Sequence, residues 1–222
     1  MKKLQSTLPN MILSLGIVSI VAAALLGGMY IITKEPIAAM QQQQRIDAIR
    51  RVAPKFDNNP VADADTIKTQ NGTECIVYPA YLGDNFNGAA VSTYSMEGFG
   101  GEVQLMVGFD ADGKVKDYQV LSHAETPGLG SKMDLWFRDP SGARSILEKS
   151  PADVSFYVVK DKAQGGQIDG ITAATISSRA FLGAVREAFN AYLTLKTQKQ
   201  GGIVTEAKGD GVTGASKQNK RK

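Results

Sequence analysis

An uncharged stretch near the amino terminus constrains the fold of this chain more than any other feature. Residues 11–32 contain no Asp, Glu, Lys or Arg. A helix of that length rises ~33 Å at ~1.5 Å per residue, which is enough to cross the hydrocarbon core of a bilayer. The alternative is a secretory signal with a small-residue cleavage site at 22–24. We favour an uncleaved transmembrane helix over 11–32, because apolar sequence continues well beyond those alanines and signal peptides have shorter apolar regions.

The charges that flank this segment do not decide which way it crosses a membrane. Lysines precede it, and basic and acidic residues follow it together: Lys34, Glu35, Arg45, Asp47, Arg50 and Arg51. Long domains are translocated largely regardless of charge. The simplest expectation for a single amino-terminal anchor is therefore a cytoplasmic N-terminus, residues 1–10, with the large domain on the other side of the membrane.

Cysteine and histidine, which often act as metal ligands or catalytic residues, occur once each in the chain, as Cys75 and His123. A lone cysteine cannot form an internal disulfide, and no Cys/His set of zinc type can be assembled. The net charge of +3 is exceeded by the basic residues of the last six positions, so charge gives no argument for nucleic acid. The chemistry must come from carboxylates and hydroxyls, or from an organic cofactor.

The rest of the chain predicts an α+β domain, a mostly antiparallel sheet packed with helices. Along residues 102–109 apolar side chains alternate with more polar ones, as in a half-buried strand, and these are Val103, Leu105, Val107 and Phe109. A turn at 110–113 predicts a hairpin with the next strand. The long final helix has one apolar face at helical spacing, formed by Phe181, Val185, Ala188, Phe189 and Tyr192.

We divide the chain into five segments. After the N-terminus and the anchor come a juxtamembrane helix (35–53) with a linker at 33–74, a folded domain at 75–197 and a disordered basic tail at 198–222, which is poor in apolar residues. The region 54–74 is rich in Pro, Asp and Asn and is expected to be loop. Within the domain we expect strands at 75–82, 88–96, 102–109, 114–121 and 154–160, and a helix at 175–197.

The string HAETPGLG at 123–130 follows the second strand of the hairpin. In structural terms it is a strand-to-helix loop, with glycines for unusual backbone angles and a proline for rigidity. In functional terms, glycines would let a flat ring approach the backbone, while Glu125 and Thr126 could hydrogen-bond its polar edge. His123 could equally form a surface pair with Glu125.

The string DGITAATISS at 169–178 lies where a glycine-rich turn enters the final helix. The structural interpretation is a capped helix start, with Thr172 or Thr175 as the N-cap. The functional one is a phosphate site, because the first turn of a helix offers free N–H groups and the positive end of the dipole. Composition and spacing do not show that a threonine is modified.

These residues resemble the motifs of the FMN-binding domain family. The pattern Asp169-x-x-Thr172-Ala173-Ala174-Thr175-x-Ser177 is similar to the family's flavinylation motif, in which a separate flavin transferase joins FMN, with FAD as donor, to a threonine by a phosphoester. The matching position is Thr175, which would make the chain a phosphoprotein. The string at 123–130 resembles a second signature near the isoalloxazine, and 98–101 resembles a third.

The resemblance implies a set of cofactor-binding residues and no catalytic or metal-binding ones. Thr175 would carry the covalent FMN, and the backbone near Ile176 and Ser177 would stabilise the phosphate. Asp169 and Thr172 are expected to serve the transferase or the turn rather than electron transfer. The remaining implied contacts to the cofactor are Glu125, Thr126, Gly128, Leu129, Thr172 and Ala174. The family commonly has glycine where this chain has Ala173.

Order and spacing of the motifs, with the anchor, resemble the G-subunit family of Rnf ion-translocating ferredoxin:NAD oxidoreductases. That resemblance implies an electron-transfer subunit of the bacterial inner membrane, with its domain on the periplasmic side and no substrate turnover of its own. Its partners would be other membrane and peripheral subunits, the flavin transferase and the lipid bilayer. Three alternatives remain: the C subunit of a sodium-translocating NADH:quinone reductase, a flavin-free membrane-tethered assembly module, and a hydrolase using His123 with Glu125.

Overall fold

The computed structural model describes the backbone of residues 7–206 and the side chains of 7–199. Three helices and five strands follow one another along the chain, with short 3-10 turns at Gly130–Lys132 and Lys162–Gln164. The α+β class predicted from the sequence is confirmed. The elements are α1 (Leu8–Val52), β1 (Asp65–Lys68), β2 (Glu74–Leu82), β3 (Asn85–Gly98), β4 (Gly101–Asp110), β5 (Val115–His123), α2 (Met133–Trp136) and α3 (Thr175–Glu206).

Residues up to Asp47 form one compact unit, and residues from Ala48 onward form another. In the first unit, α1 contains an apolar window that is long enough to cross a membrane by length and composition, and none of that window is buried within the protein. The helix does not end after residue 32. It continues through Pro36 to Val52, although proline removes one backbone hydrogen bond, so the two helices expected at 11–32 and 35–53 form one element.

The second unit is built on a sheet in which every strand is antiparallel to its neighbour in sequence, in the order β1-β2-β3-β4-β5. Val107 pairs with Val91 on one side and with Tyr118 on the other. Strands β2 to β5 lie where the sequence predicted them. Strand β1 falls in the region expected to be loop, and the strand expected at 154–160 is replaced by a single parallel bridge between Val158 and Ile168.

Helix α3 packs on the inner face of the sheet. The predicted inward residues of β4 and the predicted apolar face of α3 belong to one buried cluster. Phe181 lies at its centre, stacked on Phe137 with ring centroids 4.3 Å apart. Full burial of each such large side chain contributes about 1.5–3 kcal/mol relative to exposure. This cluster is what holds the first turn of α3 at the edge of the sheet.

The outer face carries a smaller cluster made with the end of α1. Ile49 and Val52 pack against Tyr78 and Met106. A Cβ atom at Gly108 would lie 1.8 Å from the Val52 carbonyl oxygen, so only glycine lets the chain pass there. The folded unit of the structure therefore includes residues that precede position 75.

Helix α3 extends to Glu206, beyond the expected end at 197. The tail expected to be disordered starts at 198, and its residues from 207 onward lie outside the described part of the chain, as do residues 1–6.

Candidate functional site

The backbone turns sharply just before α3. The Ala174 N–H donates to the Ile171 carbonyl at 3.0 Å, and Ala173 adopts φ of 62°, in the left-handed region. Helix α3 then begins at Thr175, which places Ala174 in the position before the helix. The expectation that Thr172 or Thr175 would be the N-cap is therefore wrong.

A serine one turn into the helix ties the turn before α3 to the helix start. The buried Ser178 hydroxyl accepts a hydrogen bond from the Ile171 N–H at 2.8 Å and donates to the Ala174 carbonyl at 2.9 Å. This side chain bridges the two ends of the turn and supplies the acceptor for the buried Ile171 N–H, whereas the Ala174 carbonyl also accepts from the Ser178 N–H at 3.0 Å. Sequence reasoning missed this role, because it searched for the cap before the helix.

The neighbouring hydroxyls are used differently. Ser177 is 2% exposed, and its Oγ donates to the Glu125 carboxylate at 2.6 Å. Thr175 is only half-buried, and its Oγ1 accepts from the Lys160 ammonium at 3.4 Å. Thr175 is therefore partly accessible to solvent, whereas Ser177 and Ser178 are buried and bonded within the protein.

Glu125 lies where the three motifs meet. It is 5% exposed, and besides Ser177 it accepts from the Gly100 N–H at 3.4 Å. Cβ atoms at Gly98 and Gly130 would lie 2.6 Å and 2.5 Å from its two carboxylate oxygens. These glycines are required because the carboxylate occupies the space that any side chain would need. The motifs at 98–101, 123–130 and 169–178 are thus joined through one buried acid.

The imidazole of His123 contacts the backbone of this acid. Its Nδ1 accepts from the Glu125 N–H at 3.2 Å, whereas the carboxylate itself binds Ser177 and Gly100. Among the described hydrogen bonds, the His123 imidazole pairs with the Glu125 N–H and with no Ser or Thr hydroxyl.

A cleft of about 340 Å³ opens between the three motifs. Phe99, Leu129 and Ile176 present exposed apolar surface along it, and Phe99 alone is 69% exposed. Seven of the predicted cofactor residues line the cleft, whereas Gly128 and Thr172 do not: the seven are Glu125, Thr126, Leu129, Ala174, Thr175, Ile176 and Ser177. The sequence analysis did not single out Phe99 or Gly130, although an aromatic residue between glycines could have drawn attention to the turn.

The cleft fits a flat, largely apolar ligand with a phosphate at one end. Its volume lies in the range of about 300–1,000 Å³ that is usual for small-molecule sites. A flat ring could pack against the exposed apolar side chains. The first turn of α3 has free N–H groups that could bind an anion. Among residues 7–206 no group of three or more His, Cys, Asp and Glu side chains could hold a metal ion.

Asp169, the first motif residue, acts within the fold. Its carboxylate accepts from the Ala143 N–H at 3.0 Å, and its carbonyl accepts from the Trp136 indole N–H at 2.8 Å. Both contacts hold the turn that leads into α3. This agrees with the expectation that Asp169 serves the turn.

A second, polar cleft of about 380 Å³ lies on another side of α3. There Arg179 donates to Asp161 through Nε at 3.0 Å, and this hydrogen bonding holds the pKa of the Asp161 carboxyl below its usual range. The Arg186 guanidinium lies 3.7 Å from the centre of the Tyr157 ring. Burial lowers the pKa of Arg186 from its usual value. This cleft lacks the apolar rim of the first.

Residues 98–190 match the FMN-binding domain family, and these bounds enclose all three motifs. The chain is 34% identical over 202 residues to the G subunit of an ion-translocating oxidoreductase complex from Aliivibrio fischeri, covering 88% of this chain and 95% of that protein. It is 34% identical to the corresponding G subunit of Vibrio cholerae, over 79% of this chain and 86% of the relative. The chain belongs to the family of these G subunits.

Proposed function

We propose that this chain is the membrane-anchored electron-transfer subunit of an ion-translocating oxidoreductase complex, and that it carries FMN bound covalently to Thr175. The observation that carries the proposal is the state of the hydroxyls at the start of α3. Ser177 and Ser178 are buried and their hydroxyls are bonded within the protein, whereas Thr175 is half-buried and its hydroxyl accepts only a long hydrogen bond from the exposed Lys160 among the described contacts. Family membership and the FMN-binding domain support the same assignment.

The cleft residues would hold the two ends of FMN in different ways. Backbone N–H groups near Ile176 and Ser177 would stabilise the phosphate, since they have no partners earlier in the helix. Phe99, Thr126 and Leu129 would contact the ring. Glu125 would hold the loops in place, because its carboxylate is bonded to Ser177 and Gly100. Gly128 and Thr172 would shape the turns that border the cofactor.

Attachment is a phosphoryl transfer that leaves all oxidation states unchanged. The Thr175 Oγ would bond to the flavin-side phosphorus of FAD, while the bond from that phosphorus to the bridging oxygen of the pyrophosphate breaks and the oxygen stays with AMP. AMP leaves, and the hydroxyl proton passes to solvent. A flavin transferase would catalyse this step, as the resemblance of the motif implies. The covalent bond removes dissociation, which suits a domain on the periplasmic side of the inner membrane.

FMN can pass electrons singly or in pairs, so it supplies the redox chemistry of the subunit. The 98–101 turn and the 126–129 loop would hold the ring, and their apolar side chains Phe99 and Leu129 would contact it. Other subunits of the complex would be the electron donor and acceptor. We assign residues 11–32 to the lipid bilayer, 75–197 to the FMN-binding domain and 33–74 to the juxtamembrane helix and linker.

Mass spectrometry tests the covalent claim. The full chain is co-expressed with the flavin transferase and digested with trypsin, which releases residues 163–179 as one peptide. We expect a mass increase equal to FMN minus water on that peptide, with fragment ions that place it on Thr175. An unmodified peptide, or a label on Thr172, Ser177 or Ser178, would contradict the proposal.

A further inference from the structure

Lys160 lies beside the proposed attachment residue. Its ammonium nitrogen is 3.4 Å from the Thr175 Oγ1, and the lysine side chain is otherwise exposed. None of the three motifs includes this residue, and nothing in the sequence pattern around 160 suggested a role for it. The contact brings a positive charge to the hydroxyl that would bear a phosphate.

The backbone around Lys160 is fixed from both sides. The Val159 N–H donates to the Ile168 carbonyl at 2.9 Å, and the Asp161 N–H donates to the Val158 carbonyl at 2.8 Å. Asp161 in turn is bonded to Arg179 on α3. Lys160 therefore lies in a turn that is hydrogen-bonded, through Asp161 and Arg179, to the helix that carries Thr175.

Lys160 differs from its cationic neighbour in charge balance. Arg179 is one turn along α3 from Thr175, but its guanidinium is engaged by the Asp161 carboxylate. Lys160 takes part in none of the ion pairs found within residues 7–199. Of these two cations, Lys160 is the one whose charge is available to an incoming anion.

We propose that Lys160 is a positioning residue that pairs with the phosphate of the flavin at Thr175. The inference rests on the proposed function and names a residue outside the family motifs. A phosphorus atom bonded to Oγ1 would bring its free oxygens within reach of the ammonium, which would then form a charge-assisted hydrogen bond. Before attachment the same pair would hold the phosphate of unattached FMN at the helix start.

The expected effect is modest, because the ammonium is exposed. Exposed ion pairs contribute little free energy, which corresponds to a change of about fivefold or less in a dissociation constant. The effect should shrink as salt is added, since ions screen exposed charges. A neutral flavin without phosphate should not sense Lys160 at all.

The first experiment uses the full chain, made without flavin transferase and purified in detergent. FMN and riboflavin are titrated separately, and binding is followed by flavin fluorescence. We expect Lys160→Met to weaken FMN binding about fivefold at low salt and to leave riboflavin binding unchanged. Lys160→Arg should bind FMN like the wild type. Lys162→Met is the matched control, because it removes an equal charge from a lysine two positions further along.

A second measurement uses the covalently labelled chain, so that the inference is tested even if unattached FMN binds too weakly. The ³¹P resonance of the phosphoester should differ between the wild type and Lys160→Met in the folded protein, and the difference should vanish on denaturation. Lys162→Met should match the wild type.

The outcomes separate the two claims. Equal losses for FMN and riboflavin, equal effects of Lys160→Met and Lys162→Met, or identical ³¹P resonances in all three proteins would overturn the role of Lys160 alone. A chain that binds no flavin and acquires no label at Thr175 would overturn the proposed function, and this inference with it.

Discussion

The two sides of the first turn of α3 use the same kind of side chain for opposite purposes. On the buried side, Ser177 and Ser178 donate and accept hydrogen bonds within the protein. On the open side, Thr175 accepts a hydrogen bond from Lys160 and lines a cleft with an apolar rim. A hydroxyl that is already hydrogen-bonded within the protein is not available to a ligand. The structural role and the ligand-binding role therefore fall to hydroxyls on different faces of the helix.

This division predicts that changes on the open side alter flavin content, whereas changes on the buried side alter stability. The single tryptophan, Trp136, is hydrogen-bonded to the Asp169 carbonyl and so reports on the turn before α3. Urea unfolding of the flavin-free chain, followed by Trp136 fluorescence, therefore measures changes in stability. Flavin fluorescence of the denatured chain in a gel measures the content of covalently bound flavin.

The largest effect is expected from Thr175→Ala. This variant should lose all covalent flavin after co-expression with the transferase. Its free energy of unfolding should stay within about 0.5 kcal/mol of the wild type, as for most substitutions outside the core and its hydrogen-bond network. Thr194→Ala is the control, since it makes the same change at an exposed site on α3 and should keep the label. If the denatured Thr175→Ala variant kept its flavin fluorescence in the gel, Thr175 would not be the attachment residue.

A change at the boundary should affect both sides. In Gly130→Ala the new methyl group would lie 2.5 Å from a Glu125 oxygen and 2.6 Å from the Ser177 hydroxyl. We expect the free energy of unfolding to fall by about 3 kcal/mol, at the upper end for overpacking, together with a reduced flavin yield. Gly183→Ala is the control, because its nearest neighbour is an Arg186 side-chain atom at 3.7 Å. Equal behaviour of the two variants would contradict this account.

A smaller effect, confined to stability, is expected from Ser178→Ala. It leaves the Ile171 N–H without its partner, and an unsatisfied buried donor costs about 2 kcal/mol. Flavin yield should be unchanged under conditions where the variant is folded. The exposed Ser141 offers the comparison, since Ser141→Ala should alter the unfolding midpoint very little. A Ser178→Ala variant that is as stable as the wild type but lacks flavin would reverse the proposed roles.

The smallest effect is expected at Ala173, whose φ of 62° is unfavourable for a residue with a Cβ. Ala173→Gly should raise the free energy of unfolding by about 1 kcal/mol, because glycine adopts this conformation without the steric penalty. Ala173→Val should lower it, since β-branched residues suit this region least. Both variants should still be flavinylated. A lower stability for Ala173→Gly would show that the turn does not strain the alanine.

The Ala173 geometry also offers a physical reason for the glycine that the motif resemblance implies at this position. The turn needs a left-handed residue, and glycine is the residue that supplies it at least cost. Sequence comparison could state the departure but not its cause. In the structure, Ala173 has a positive φ, so the cost of having alanine at this position can be measured as a change in stability.

Much of the fold followed from local pattern. Alternation predicted β4, the turn at 110–113 predicted its hairpin with β5, and helical spacing placed Phe181 and Tyr192 in the core. The strand expected at 154–160 was wrong because the apolar residues there serve a loop with one bridge. Strand β1 was missed because it is short and lies in a segment rich in turn-forming residues.

The site was predicted less completely, and distance along the chain explains why. The position of Thr175 at the helix start followed from the motif. The inward orientation of Glu125 depends on Ser177, which is 52 residues away in sequence, and on two glycines from different turns. The partnership of Lys160 with Thr175 depends equally on tertiary structure. No local pattern encodes such contacts.

The meander of the sheet has a consequence for the order in which the protein matures. Each strand pairs with the one made just before it, and such short-range pairing is the kind that forms quickly. The cleft, by contrast, needs the turn at 98–101 and the first turn of α3, which leaves the ribosome much later. An enzyme that recognises the assembled cleft would then act only on chains whose synthesis has passed the whole domain. Bound flavin would serve as a record of completed folding.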